Sequence, residues 1–395
     1  MIAAMNPLAP TPLLAGLTPA DFMQRYWQRK PLLIRGAFKD FRPPLSIAEV
    51  KRLAKEDDVE ARLVWKEEDR WQMESGPFGR LPPAREPGWS LLVQGVNLHH
   101  DGAADLMRQF SFVPDARLDD VMISIATDGG GVGPHFDSYD VFLLQGVGKR
   151  LWRIGRQKDL SLDPDAPLKI LNNFAPTEEF LLEPGDMLYL PPAYAHDGIA
   201  DGECMTISIG FRSPSMAELA RGMLEAAADS LSLATPNALK GHYTDPSQPA
   251  VDSPAAIPDA MVQSAVQAAA AVKLDAALAS RFLGCWLTEP KQNVVFDAVD
   301  VDALPDLAEE WPDTGTLRLD RRTQMVYRGK MAFINGEPIE SPASAAMKRL
   351  ADQRSLDCSE PICRKLTDEE RSLLTEWLDD GWMHYEVQAK SAISG

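Results

Sequence analysis

The period of the hydrophobic pattern changes along this chain. Up to Phe211, short β-branched and apolar runs recur between Gly, Pro and Asp; from Met216 onward, Ala- and Leu-rich stretches recur at helical spacing. In Val121-Met122-Ile123-Ser124-Ile125-Ala126, β-branched residues alternate with Met122 and the small Ser124 and Ala126, which predicts a strand with one β-branched face and one that opens towards Ser124 and Ala126. The glycines Gly129, Gly130, Gly131 and Gly133 then predict a loop. Tyr139 to Gln145 reads as a second strand, Gly146-Val147-Gly148 as a tight turn and Lys149 to Ile154 as a third strand, together a β-hairpin. Met187 to Leu190 reads as a strand stopped by Pro191-Pro192, followed by a short loop carrying His196 and a further strand from Met205 to Phe211.

The strands give way to helices at a boundary near Pro214. Helices are expected from Met216 to about Leu231 and over Pro258 to Leu287, with the proline-bearing stretch Thr235 to Ala256 as a connector. From Thr288 a third unit begins. Gln324 to Tyr327 and Met331 to Ile334, followed by Asn335-Gly336, carry hairpin chemistry; helices at Ala343 to Gln353 and Asp368 to Asp379 and a closing strand at Trp382 to Val387 complete a winged-helix-like pattern. The fold class is α+β, divided as residues 1–213, 214–287 and 288–395.

Composition changes this picture only at the surface. With 45% hydrophobic and 25% charged residues in 395, the chain is long enough for two or three domains and a substantial core. A formal net charge of -18 opposes direct nucleic-acid binding and suits a basic protein partner. The acidic Asp368-Glu369-Glu370 and Asp379-Asp380 likewise turn the winged-helix-like unit towards protein contact. The four cysteines form no Cys-x-x-Cys pair, the N-terminus has no signal-peptide pattern and no run of about 18 apolar residues occurs, so a cytoplasmic protein without a membrane span is expected.

Candidate chemistry concentrates in two places. Gly131-Val132-Gly133-Pro134-His135-Phe136-Asp137 supplies a His-x-Asp pair at a strand end, and the stretch from Glu183-Pro184-Gly185-Asp186 to His196 supplies a second imidazole. Two imidazoles and one carboxylate on one octahedral face leave positions open for a co-substrate and dioxygen, the donor set of non-haem Fe(II) oxygenases. Alternation places Arg150 with Trp152 and Ile154, opposite Lys149 and Arg153, so Arg150 is the inward cation able to grip a carboxylate. Ser124, on the open strand face with Met122 and Ala126, reads by itself as a satisfied core hydroxyl; Thr206 and Ser208, on one face of the strand after His196, are weaker candidates for a polar contact. Asp140 competes with Asp137, and the His-x-Asp order favours Asp137. Asp128, before the glycine loop, has two readings, a turn-former and a contact for a substrate guanidinium. His99, His100, His242 and His384 are not proposed as ligands.

The spacing from Gly185 through Pro191 to His196 matches the second signature of the cupin barrel, and with His135-x-Asp137 the chain resembles the JmjC-type oxygenases. GVGPHFDSYDVFLLQGVGKRLWRIG and EPGDMLYLPPAYAHDG are similar to the bacterial ribosomal oxygenases, and the likeness runs from Tyr26-Trp27 to about Phe211 and more loosely beyond. The resemblance implies a double-stranded β-helix barrel over 1–213, a helical dimerisation region over 214–287 and a winged-helix-like domain over 288–395. It further implies Fe(II) held by His135, Asp137 and His196, 2-oxoglutarate held by Arg150 and Ser124, dioxygen as oxidant, and C3 of an arginine in a large-subunit ribosomal protein as acceptor. A hydroxylase of histidine or another residue on the same fold, a small-molecule metal cupin and a non-catalytic cupin scaffold are the alternatives. Arg150 disfavours the last two, which need no such anchor.

Overall fold

The computed structural model describes residues 6–233, 239–297, 299 and 304–387, so residues 235–238 of the expected connector lie outside the described residues. The chain falls into two compact units: Met1–Ser213 with Pro290–Thr323 and Ser344–Gly395, and Pro214–Glu289 with Gln324–Ala343.

In the first unit, two short helices pack on a sheet. Helix α1 (Pro19–Arg25) starts at Thr18, whose hydroxyl accepts from the Asp21 N–H, with Pro19 in the first turn; α2 (Ile47–Leu53) starts with a reciprocal Ser46/Glu49 capping box. The strands are β1 (Leu32–Ile34), β2 (Ala61–Glu67), β3 (Arg70–Ser75), β4 (Trp89–Val93), β5 (Leu118–Ala126), β6 (Val141–Gly155), β7 (Glu178–Leu182), β8 (Met187–Leu190) and β9 (Ala195–Phe211); α3 (Val96–His99) and α4 (Asp101–Arg108) lie between β4 and β5. They pair antiparallel in the order β1-β8-β6-β9-β5-β4-β2-β3, with β7 on β6.

Alternation sorts this sheet into two faces. Val121, Ile123 and Ile125 of β5 join Phe142, Leu144, Tyr189, Ile207 and Ile209 in the main core, where Phe22 of α1 sits 4.9 Å from Tyr189 and 5.5 Å from Phe142. Burying each such side chain contributes about 1.5–3 kcal/mol. Met122, Ser124 and Ala126 therefore face the interior of the curved sheet.

The expected hairpin between Tyr139 and Ile154 is not formed. Strand β6 runs unbroken through Gly146-Val147-Gly148 and pairs with β9 from Val141↔Gly210 to Gly155↔Ala195. The extra residues are absorbed as bulges, with register shifts between Gln145 and Val147 and between Val147 and Lys149. At Gly148 φ is 62°, and a side chain there would collide with the Glu203 carbonyl, so the glycine bends the strand rather than reversing it. The halves of β6 share β9 on one edge and take different partners on the other, β8 before the bulge and β7 after it. For the same reason His196 is not in a loop: it is the second residue of β9, which continues without a break to Phe211.

The second unit contains α5 (Met216–Leu233), α6 (Asp259–Ala270), α7 (Ala276–Thr288), β11 (Met325–Arg328), β12 (Met331–Ile334) and β13 (Glu337–Ile339). Asn335 and Gly336, both at positive φ, join β12 to β13 in the expected two-residue turn. The first unit also holds a sheet of β14 (Ser355–Asp357), β10 (Thr316–Leu319) and β15 (Met383–Glu386), with α8 (Ala345–Gln353) and α9 (Asp368–Asp379). Among the described residues no helix is long and apolar enough to cross a membrane.

Candidate metal centre

Two histidines 61 positions apart are joined by their backbones. The His135 N–H donates to the His196 carbonyl at 2.9 Å and the His196 N–H to the His135 carbonyl at 2.8 Å. Residues exchanging both bonds in an antiparallel pair carry their side chains on the same face, and the imidazole centroids are 4.2 Å apart. Asp137, two positions after His135, returns to that face; its Oδ2 lies 3.7 Å from His196 Nε2, and its carbonyl accepts from the Ala193 N–H. One ligand atom from each of His135, Asp137 and His196 lies within 4.8 Å of the others.

Backbone carbonyls orient both rings. His135 Nδ1 is 2.9 Å from the Gly133 carbonyl and His196 Nδ1 is 2.9 Å from the Tyr194 carbonyl, which assigns the proton to Nδ1 and leaves each Nε2 lone pair for a metal. Burial, reinforced by His135, pushes His196 down to about 4, so its imidazole is neutral at ordinary pH, the form that can donate a lone pair to a metal. Gly133 is at φ 79°, and a Cβ there would lie 2.6 Å from Trp71 Cζ2 and 2.9 Å from Ile170 Cδ1; only glycine lets this carbonyl reach His135 beneath that wall.

Arg150 is 5% exposed and points inward from β6, whereas Lys149 is exposed. Its Nη1 donates to Ser124 Oγ at 3.1 Å; its Nε and Nη2 are buried without a hydrogen-bond partner among the described residues. Thr206 is committed to Gln145, to whose Oε1 it donates at 3.0 Å. Asp140 faces the core, accepting from Tyr189 Oη at 2.6 Å and Gln28 Nε2 at 3.0 Å, with burial raising its carboxyl, so it does not join Asp137. Asp128 Oδ1 accepts from the Gly202 N–H, a loop-holding bond. His100 Nδ1 accepts from the Gly102 N–H at the start of α4, and His384 Nε2 pairs with Asp320; neither joins the cluster of His135, Asp137 and His196. The Gly133 and Tyr194 carbonyls and the packing of Trp71 and Ile170 were not read from the sequence, because backbone acceptors carry no residue signature.

The JmjC domain family matches residues 105–219, and the ROXA-like winged helix matches residues 271–384. The ribosomal protein uL16 3-hydroxylase of Escherichia coli is 34% identical over 341 residues, covering 85% of this chain and 89% of that protein. The X-ray structure of E. coli YcfD superposes with a TM-score of 0.78 at 31% identity, over 94% of this chain and 98% of that one. YcfD described as a ribosomal oxygenase in complex with cobalt and 2-oxoglutarate superposes with a TM-score of 0.75 at 30% identity and the same coverage. Likeness of this extent, along nearly the whole of both chains, makes this chain a member of the JmjC-type ribosomal oxygenase family.

Proposed function

We propose that this chain is an Fe(II)- and 2-oxoglutarate-dependent oxygenase that hydroxylates C3 of an arginine side chain in the large-subunit ribosomal protein uL16. The observation that carries this reading is a three-ligand face with a buried, half-unpaired guanidinium in the same barrel. Both fit the cofactor pair: His, Asp and His suit a non-haem iron with open positions, and two idle guanidinium donors suit a carboxylate. The named activity of the E. coli relative and the cobalt and 2-oxoglutarate complex of YcfD support it.

Iron and 2-oxoglutarate, when bound, supply the activation of dioxygen and the transfer of one oxygen atom to an unactivated C–H bond. The chain's own residues position and exclude. His135 and His196 offer Nε2 and Asp137 offers its carboxylate, while Arg150 Nε and Nη2 grip the far carboxylate of the co-substrate. Ser124 Oγ accepts from Arg150, which leaves its hydroxyl proton for the same carboxylate. The buried residues around them, Trp152 and Leu182 among them, keep bulk water from the centre.

The net charge of -18 suits a basic ribosomal protein and opposes phosphate, and such a substrate is met in the cytoplasm. Helix α6 has no buried residue and exposes Met261, Val262 and Val266, which supports the helical region as a homodimer contact. The scaffold alternative is disfavoured because an unpaired buried cation is expensive unless it serves a ligand. The test incubates anaerobically purified protein with Fe(II), 2-oxoglutarate, dioxygen and a uL16 fragment, with His135→Ala as control, followed by mass spectrometry. A wild-type-only gain of one oxygen on arginine is expected. Turnover to succinate without that gain would transfer the reading to another acceptor, such as histidine, and no turnover in iron-loaded protein would overturn it.

A further inference from the structure

Among the described residues, the barrel interior holds an idle indole donor that the reading above does not use. Trp152 is 5% exposed, and its indole Nε1 is buried without a hydrogen-bond partner among the described residues. Native structures rarely keep a buried N–H idle. A phenylalanine would fill most of the same space and keep a ring face for Arg150, so the group that tryptophan alone supplies at this position is a donor.

The surroundings of the ring say which acceptor it serves. Arg150 and Trp152 are two apart on β6, His196 and Gly198 are two apart on β9, and the register pairs Trp152 with Gly198 and Ile154 with His196, so all four share the interior face. The indole centroid is 5.9 Å from the His196 ring, and the Arg150 guanidinium carbon is 5.7 Å from the indole. The ring lies over Gly198, where a Cβ would come within 2.7 Å of its Cζ3 and 2.8 Å of its Cη2. Glycine at this position thus leaves the indole room to lie between a metal ligand and the carboxylate anchor.

We propose that Trp152 binds the co-substrate: its Nε1–H donates to a carboxylate oxygen of the 2-oxoglutarate held between His196 and Arg150. This rests on the co-substrate reading of the site. No bond is made or broken; the indole adds a directional donor alongside Arg150 and Ser124.

The test uses full-length zinc-loaded protein, in which the oxygen chemistry is silent. Indole N–H resonances of the nine tryptophans are recorded during titration with 2-oxoglutarate, and Trp152→Phe assigns the one that disappears. The Trp152 resonance is expected to move downfield at saturation, and calorimetry should find 2-oxoglutarate bound about tenfold more weakly by Trp152→Phe, as for loss of one hydrogen bond to a charged group. An unmoved resonance, the outcome if a water holds the N–H, or affinity in the variant within about twofold of wild type, overturns the proposal. If Trp152→Phe does not fold, through-bond assignment of the wild-type resonance decides by the same shift. Failure of 2-oxoglutarate to bind the wild type would remove the co-substrate reading and this proposal together; normal binding with no Trp152 response would remove this proposal alone.

Discussion

Replacing Arg150 with methionine should move two properties in opposite directions. In the free protein the guanidinium makes one hydrogen bond, to Ser124, while Nε and Nη2 are buried and idle. Methionine loses that bond, worth about 1.5–3 kcal/mol because its donor is charged, and the contact with Trp152, worth about 0.5–2 kcal/mol, but removes a buried charge whose desolvation costs several kcal/mol. The free variant should therefore be as stable as wild type, or more stable by about 1–3 kcal/mol. With co-substrate the sign reverses. Two charge-assisted hydrogen bonds at about 1.5–3 kcal/mol each amount to about 3–6 kcal/mol, or about two to four orders of magnitude in the dissociation constant of 2-oxoglutarate. Urea denaturation of the free proteins and calorimetric titration of the cobalt-loaded ones measure both quantities. A variant destabilised by more than about 2 kcal/mol that still binds 2-oxoglutarate within about tenfold of wild type would refute the anchor assignment and leave Arg150 a structural cation.

Four further outcomes are expected. Gly133→Ala, strained at φ 79° and pressed on Trp71, should cost about 1–3 kcal/mol of stability and weaken cobalt binding, read by denaturation and titration, because the carbonyl that holds His135 moves. Asp128→Ala should leave turnover of the uL16 fragment near the wild-type value, because the carboxylate holds the Gly202 N–H; lost turnover with uncoupled 2-oxoglutarate consumption intact would instead place it against the substrate guanidinium. Asp320→Asn should cost about 1–3 kcal/mol, because Arg322 loses the charge of one carboxylate partner and keeps the other, Asp297. Burial alone would raise the Asp320 carboxyl, but hydrogen bonds from His384 and Arg322 hold it well below the usual carboxylate range. Its stabilisation is thus complete above about pH 4 and lost as pH falls towards the depressed value, so the gap between wild type and Asp320→Asn in urea denaturation should shrink only in that acid range. Met261→Lys with Val266→Glu should yield monomers in sedimentation if α6 meets its copy.

The convergence of His135, Asp137 and His196 was legible because it depends on residue type and short spacing: His135-x-Asp137 puts two side chains on one face, and Gly185 to His196 delivers the third. The open face of β5 was legible from Ile123-Ser124-Ile125, as was the inward course of Arg150 from its separation from Trp152. The run through Gly146-Val147-Gly148 was not, because glycines that close a hairpin and glycines that bend a bulge look alike until a partner strand is known. The same gap hid the start of β9, where Ala195 to Cys204 lacks the dense apolar pattern of a core strand but pairs along β6. The regrouping of 324–343 with 214–289 is a long-range packing outcome that no local pattern announces.

The paired backbones of His135 and His196 have a thermodynamic consequence. Bonds between the ligand residues, together with the carbonyls of Gly133 and Tyr194 and the Ala193 N–H, hold the three donors in place through the polypeptide itself. The conformational entropy of gathering them is therefore spent when the barrel folds, not when an ion arrives. Metal capture should then show almost no heat-capacity change, and chelation should leave a folded barrel that reloads at once, unlike the small domains that a metal must fold.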